Sequence, residues 1–223
     1  IPGVITDRLA QAAVEYGAYI AGVQLEVDDD WPGRCFNTAF IISPEGKIIL
    51  KYRKTLGTIL NVYTCPADVY SEHKERYGGE SFFPVVDTPI GKLGCMICLD
   101  CHYPEVARSL AMNGVEVILC STAEMYELLW RAQLCRRVRA YENTAYVVCA
   151  NHGNPLGGHS SIIDFQGRVV EEADGPDQTA VTGVIDVEAL RTVRGNIGYF
   201  GNFLARLRSS LFAEQYEGFP GLP

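Results

Sequence analysis

Apolar residues along this chain gather in short blocks of two kinds. In some they recur every third or fourth position, as on one face of a helix. In others they alternate or run together, as in half-buried or fully buried strands. The first block is helical. Thr6 can cap it, Leu9, Ala13 and Tyr16 form its stripe, and Gly17 stops it. AYIAGVQLEV then reads as a strand. FNTAFII and KIILKY are β-rich runs joined by Ser43-Pro44-Glu45-Gly46, which predicts a hairpin. From Arg53 to Ser81 no period is clear, so a long loop is expected, with a short helix at 70–77.

FFPVVD and KLGCMIC form a second hairpin about Pro89-Ile90-Gly91. YPEVARSLAMNG is a helix, with Pro104 suited to its first turn and Gly114 to its stop. VEVILCS and TAYVVCAN read as buried strands. Between them MYELLWRAQLCRRVRAYEN is a long helix with Leu128, Ala132, Cys135 and Val138 on one face. HSSIIDFQGRVVEEA is a third hairpin, AVTGVIDV a last strand and VEALRTVR a short helix. The aromatic-rich tail, 196–223, has no period and is expected to pack on a partner subunit. Interleaved strands and helices with frequent hairpins predict α/β layers with mixed sheets. One domain over 1–223 is expected.

Charge narrows the partners. The net charge of −8 is wrong for a phosphate backbone, so no nucleic acid is expected. Arg136, Arg137 and Arg139 read as the charged side of one helix. No apolar run is long enough to span a membrane, and the opening residues lack a signal-peptide pattern, so a cytoplasmic location is expected. Most of the eight cysteines sit inside apolar runs, which favours reduced, buried thiols over a disulfide framework.

One cysteine stands apart. Cys98 lies where the strand KLGCMIC gives way to the helix beginning near Tyr103. A nucleophile at such an elbow is held on a tight turn at the sheet's end, where helix-end N–H groups lower a thiol pKa. The N–H of Leu99 would then face an oxyanion formed at the sulfur. Cys95, Cys98 and Cys101 also spell C-x-x-C-x-x-C. The iron–sulfur run needs a further cysteine where Glu105 stands, and zinc needs a second donor pair for which His102 is out of register. No metal and no cofactor are expected.

The stretch GCMICLDCHYPEVARSLAMNGVEVIL resembles the cysteine motif of the nitrilase superfamily of carbon–nitrogen hydrolases. KIILKYRKTL resembles its lysine motif, with Asn37 in the preceding hairpin. RRVRAYENTAYVVCAN and GHSSIIDFQGRVV resemble two later segments, in the same order. The resemblance implies a four-layer α-β-β-α sandwich, commonly dimeric across a helix layer. It implies Cys98 as nucleophile and Lys54 facing the oxyanion. It implies a second pocket glutamate, for which Glu75 is the nearest match and Glu72 its competitor. Leu99, His102 and Tyr103 would line the oxyanion and substrate side.

The implied substrate is a small amide, with a small nitrile as alternative. The family's general-base glutamate has no match, because Pro44-Glu45 is a turn and Pro104-Glu105 follows the nucleophile. The expectation is that the family's first strand, first helix and base precede this numbering. The other reading is a non-catalytic binding or assembly homologue.

Overall fold

A computed structural model describes residues 1–57, 62–177 and 180–217. After helix α1 (Val4–Tyr16), strands β1 (Ile20–Val27), β2 (Cys35–Ile42) and β3 (Ile48–Arg53) form an antiparallel sheet in sequence order. A loop then carries helix α2 (Tyr70–Tyr77). The second sheet has six strands, also in sequence order: β4 (Val85–Thr88), β5 (Gly91–Ile97), β6 (Val117–Thr122), β7 (Tyr146–Asn151), β8 (Ser161–Ile163) and β9 (Val169–Glu172). Its three central strands are parallel and the flanking pairs antiparallel. Parallel neighbours need a crossover, and helices α3 (Pro104–Met112) and α4 (Tyr126–Asn143) supply it. Helices α5 (Val187–Gly195) and α6 (Ser210–Glu217) follow.

The burial pattern sorts these elements into layers. Ala39, Ile41, Leu50 and Tyr52 of the first sheet meet Leu93, Cys95, Ile97 and Val117 of the second, with Leu190 of α5. The other face of the second sheet, through Met96, Ile118 and Val147, packs on Val106, Leu110, Ala132 and Ala140 of α3 and α4. Ala13 of α1 covers Phe40 and Ile42 on the outside of the first sheet. The order is helix, sheet, sheet, helices, the predicted four-layer sandwich. Gly167, at φ +76°, shows how tightly the layers sit: a Cβ there would lie 2.9 Å from the carbonyl of Arg137 on α4.

Some expectations need correcting. Thr6 is inside α1 rather than before it, and its hydroxyl accepts the Gly3 N–H at 2.8 Å. Tyr16 is exposed. Residues 180–186 are not a strand. Among the described residues none pairs with them, and a β-rich sequence without a ladder partner stays open. Their last residue, Asp186, instead caps α5 by accepting the Ala189 N–H at 2.8 Å.

On α4 the inward face runs through Leu129, Ala132, Arg136, Arg139, Ala140 and Asn143, while Leu128 and Val138 are partly exposed. Arg136 and Arg139 are therefore core residues, not a solvated helix side. Their inward turn rotates the face away from the purely apolar stripe that the sequence suggests. Eight free cysteines agree with the reduced-thiol reading, and five of them are buried. Among the described residues no helix is long and apolar enough to cross a membrane.

Candidate active site

The parallel strands set the site. β5 and β6 are in-register neighbours, so their carboxyl ends come out together at one edge of the sheet. Side chains just beyond such ends converge. Cys98 follows β5 directly, and Glu124 stands two residues beyond β6. The Cys98 thiol points at Glu124 Oε1 across 3.8 Å. Glu124 is only 5% exposed. Its N–H donates to Asn151 Oδ1 at 2.8 Å, which ties it to the end of β7.

The elbow itself is strained. Cys98 has φ +49°, in the left-handed region that a residue with a Cβ rarely enters. Residues 98–102 then make a tight 3-10 turn. Leu99 is its second residue, so the Leu99 N–H has no acceptor within the turn and is available to an oxyanion. Asp100, fully buried, ties the turn down. Its Oδ2 accepts the Ile97 N–H at 2.9 Å and the Tyr52 hydroxyl at 2.7 Å. Burial pushes the Asp100 carboxyl up to about 6, against the two hydrogen bonds and the Lys54 charge, which pull it down. From α4, Arg139 donates to the carbonyl of Cys101 at 3.0 Å and to that of His102 at 3.4 Å.

Lys54 closes the other side. It follows β3, its own N–H donates to the Asn37 carbonyl at 2.8 Å, and it is 2% exposed. Its ammonium donates to the Tyr63 hydroxyl at 3.0 Å. Burial alone would lower its pKa. The Tyr63 hydrogen bond and the negative charge of Asp100 outweigh that and raise it, so the ammonium stays charged. His102, partly exposed, brings Nε2 to 3.8 Å from Glu124 Oε1 and Nδ1 to 3.6 Å from the Cys135 sulfur. Tyr103 is exposed at the mouth of α3.

The two glutamates taken from sequence are both on α2. Glu75 and Glu72 are exposed on α2, and neither side chain has a hydrogen bond or ion pair among the described residues. The helix turns His73 inward, which leaves 72 and 75 facing water. The carboxylate beside the thiol is Glu124, which the sequence reading missed. Its signal was position: it follows a strand that neighbours the strand before Cys98 in parallel. A cavity of about 570 Å³ is a separate feature. It lies between the sheets, lined by Tyr19, Ile41, Leu93, Leu119 and Val148, with no carboxylate or thiol among the described residues that line it.

The carbon–nitrogen hydrolase family model matches residues 1–195, and the chain belongs to that family: it is a hydrolase of non-peptide carbon–nitrogen bonds in the nitrilase superfamily. Among curated relatives it is 30% identical to Omega-amidase NIT2 of Xenopus tropicalis over 204 residues, covering 88% of this chain and 72% of that one. It is 32% identical to the hydrolase in the pqqF 5' region of Pseudomonas protegens, covering 94% and 70%. The fold matches the carbon–nitrogen hydrolase of Helicobacter pylori G27 with a TM-score of 0.77 at 20% identity, over 95% of this chain and 75% of that one. It also matches an amidase of Nesterenkonia sp. AN1, TM-score 0.74 at 19% identity, over 94% and 72%. In that amidase the acetamide moiety of fluoroacetamide is joined to the active-site cysteine.

Proposed function

We propose that the described residues are one catalytic domain that hydrolyses a small amide through a thioester on Cys98, releasing ammonia. The observation that carries this reading is the Cys98 thiol on a left-handed elbow, 3.8 Å from the buried carboxylate of Glu124, with the buried ammonium of Lys54 charged alongside.

The steps follow from those groups. Glu124 takes the thiol proton as sulfur attacks the amide carbon. The carbonyl π electrons move onto oxygen, where Lys54 and the Leu99 N–H stabilise the charge. As the oxyanion collapses, the C–N bond breaks and the nitrogen takes the proton from Glu124, so ammonia leaves. Water then loses a proton to Glu124 and attacks the thioester, and the acid departs as the sulfur is reprotonated. Lys54 suits its task because a compact ammonium on a flexible stem can follow the oxygen through both steps. Amide turnover by the omega-amidase relatives supports the substrate class.

The test is ammonia release from a panel of short aliphatic amides, with intact mass of the protein quenched during turnover. The expected result is ammonia, together with an acyl adduct on Cys98 that Cys98→Ala lacks. No ammonia and no adduct from any amide would overturn the reading. The exposed apolar residues on α4, Trp130 and Leu134, support a homodimer through that helix, which sedimentation would check.

A further inference from the structure

We propose that Cys101, His102 and Glu124 form a site for a thiophilic divalent cation of the zinc class, completed by the Cys98 thiol, so that bound metal masks the nucleophile. The sequence pattern C-x-x-C-x-x-C supplies Cys98 and Cys101 but does not make this site alone. Its donors come from the turn after β5 and the segment after β6, which only the sheet order brings together.

The geometry is close to what zinc needs. One donor atom from each of Cys101, His102 and Glu124 lies within 4.8 Å of the other two. Tetrahedral zinc, with sulfur at about 2.3 Å and nitrogen at about 2.0 Å, separates its donors by roughly 3.3–3.8 Å. Closing up by about 1 Å therefore suffices, and the donors sit on a short turn and a strand end. The Cys98 sulfur lies 3.8 Å from Glu124 Oε1 but outside the group whose donors are all within 4.8 Å of one another, so it becomes the fourth donor only by turning inwards as the metal binds.

The histidine is already oriented for it. His102 Nδ1 faces the Cys135 sulfur at 3.6 Å, while Nε2 faces Glu124. A proton on Nδ1, shared with that sulfur, leaves the Nε2 lone pair directed at the metal, the usual arrangement of a ligating imidazole. Sulfur and imidazole donors select zinc-class ions over magnesium or calcium. His102 is partly exposed and offers a way in.

Charge supplies an independent observation. Arg136 is completely buried behind this cluster, and all three of its guanidinium nitrogens lack a hydrogen-bond partner among the described residues. The acidic groups within electrostatic reach of it are Cys149, Cys120, Cys101 and Glu124, and burial keeps the Cys101 thiol protonated until a metal takes its proton's place. A buried cation without partners is costly. Two thiolates, a carboxylate and a divalent ion sum to one negative charge, which Arg136 would neutralise. Binding would release the protons of the Cys98 and Cys101 thiols to solvent.

Metal binding does not depend on the hydrolytic reading, and its test needs no amide. Reduced, metal-free protein is given zinc chloride, desalted, and assayed for metal by mass spectrometry. Labelling of Cys98 by iodoacetamide is followed by peptide mass with and without equimolar zinc. The wild type should retain one zinc per chain, and zinc should slow Cys98 labelling about tenfold or more, while magnesium should not. His102→Gln, at a partly exposed position, and Cys101→Ala should each weaken retention and protection about tenfold or more. A wild type that loses zinc on desalting overturns the proposal. So does zinc that is retained while Cys98 labels at an unchanged rate. Full retention and protection in His102→Gln would place the metal on other thiols and also overturn it.

Discussion

Arg53 and Lys54 are consecutive, both cationic and both almost fully buried, yet the chain treats them in opposite ways. Arg53, the last residue of β3, turns to one side and pairs with two carboxylates. Its guanidinium donates to Glu26 at 2.9 Å and to Asp28, and it lies 4.2 Å over the Phe36 ring and 5.0 Å from that of Tyr77. Glu26 in turn accepts from Thr38 at 2.7 Å and Lys51 at 2.8 Å. Lys54 turns to the other side and finds a single hydrogen-bond partner among the described residues, the Tyr63 hydroxyl. An ammonium has three donors, so two of its hydrogens remain for something else. The two cations differ in what faces them: Arg53 is held by two carboxylates, and Lys54 has no ion pair among the described residues.

Substitutions should separate the two. Arg53→Met leaves Glu26 buried without its main counter-charge. Denaturant melts should show a loss of about 3–5 kcal/mol, while the fraction still folded keeps its turnover. Lys54→Met should do the reverse. Removing one oxyanion donor costs about 10²–10³ in kcat, and the melt should move by less than that of Arg53→Met. If Lys54→Met unfolded the chain and Arg53→Met abolished turnover at full stability, the assignment would be inverted.

Acid should strike the Arg53 side first. His73 stacks among Trp31, Tyr77 and Phe82, and burial, with Arg53 nearby, lowers its pKa from 6.5 to about 4. The unfolded chain therefore binds a proton that the folded chain refuses, and stability present above pH 6.5 is lost as pH falls towards 4. The loss should reach on the order of 2–3 kcal/mol, and His73→Phe should flatten it. Glu26 acts in a lower window. Burial would raise its pKa, but hydrogen bonds from Arg53, Lys51 and Thr38 bring it down to about 2. Its contribution, present above about pH 4.5, is lost as pH falls through 2. Melts at stepped pH would show the two windows.

The smallest expected effect is Tyr63→Phe. It removes the one side-chain hydrogen bond on Lys54, worth about 0.5–1.5 kcal/mol, so kcat/KM should change severalfold at most.

The same contrast explains what the sequence let through. Strands announced themselves as β-rich runs between Gly- and Pro-marked turns, and α2 matches its predicted range of 70–77. Cys98 was legible because an elbow is local: a strand, a thiol and a helix start within a dozen residues. Glu124 was not, because S-T-A-E-M-Y reads as a polar lead-in to α4. Its meaning depends on β6 lying beside β5, which is sheet order and not periodicity. Arg136 failed for a related reason. Charged residues predict water, and only the packed helix shows this one inside. The strand expected at 180–186 failed because β propensity describes a residue's fit to a sheet, not whether a partner is there.

The left-handed backbone at Cys98 makes residue 98 a thermometer of its own strain. In an ordinary strand or helix, glycine is less stable than alanine by about 0.5–1 kcal/mol. At φ +49° a Cβ is what costs, so the order should invert, with Cys98→Gly melting above Cys98→Ala. For a chain of this length each kcal/mol moves Tm by about 2–4 °C, so the inversion is readable in a single pair of scans. Natural selection for stability alone would favour glycine at this position, and the cysteine that stands there is held against that preference.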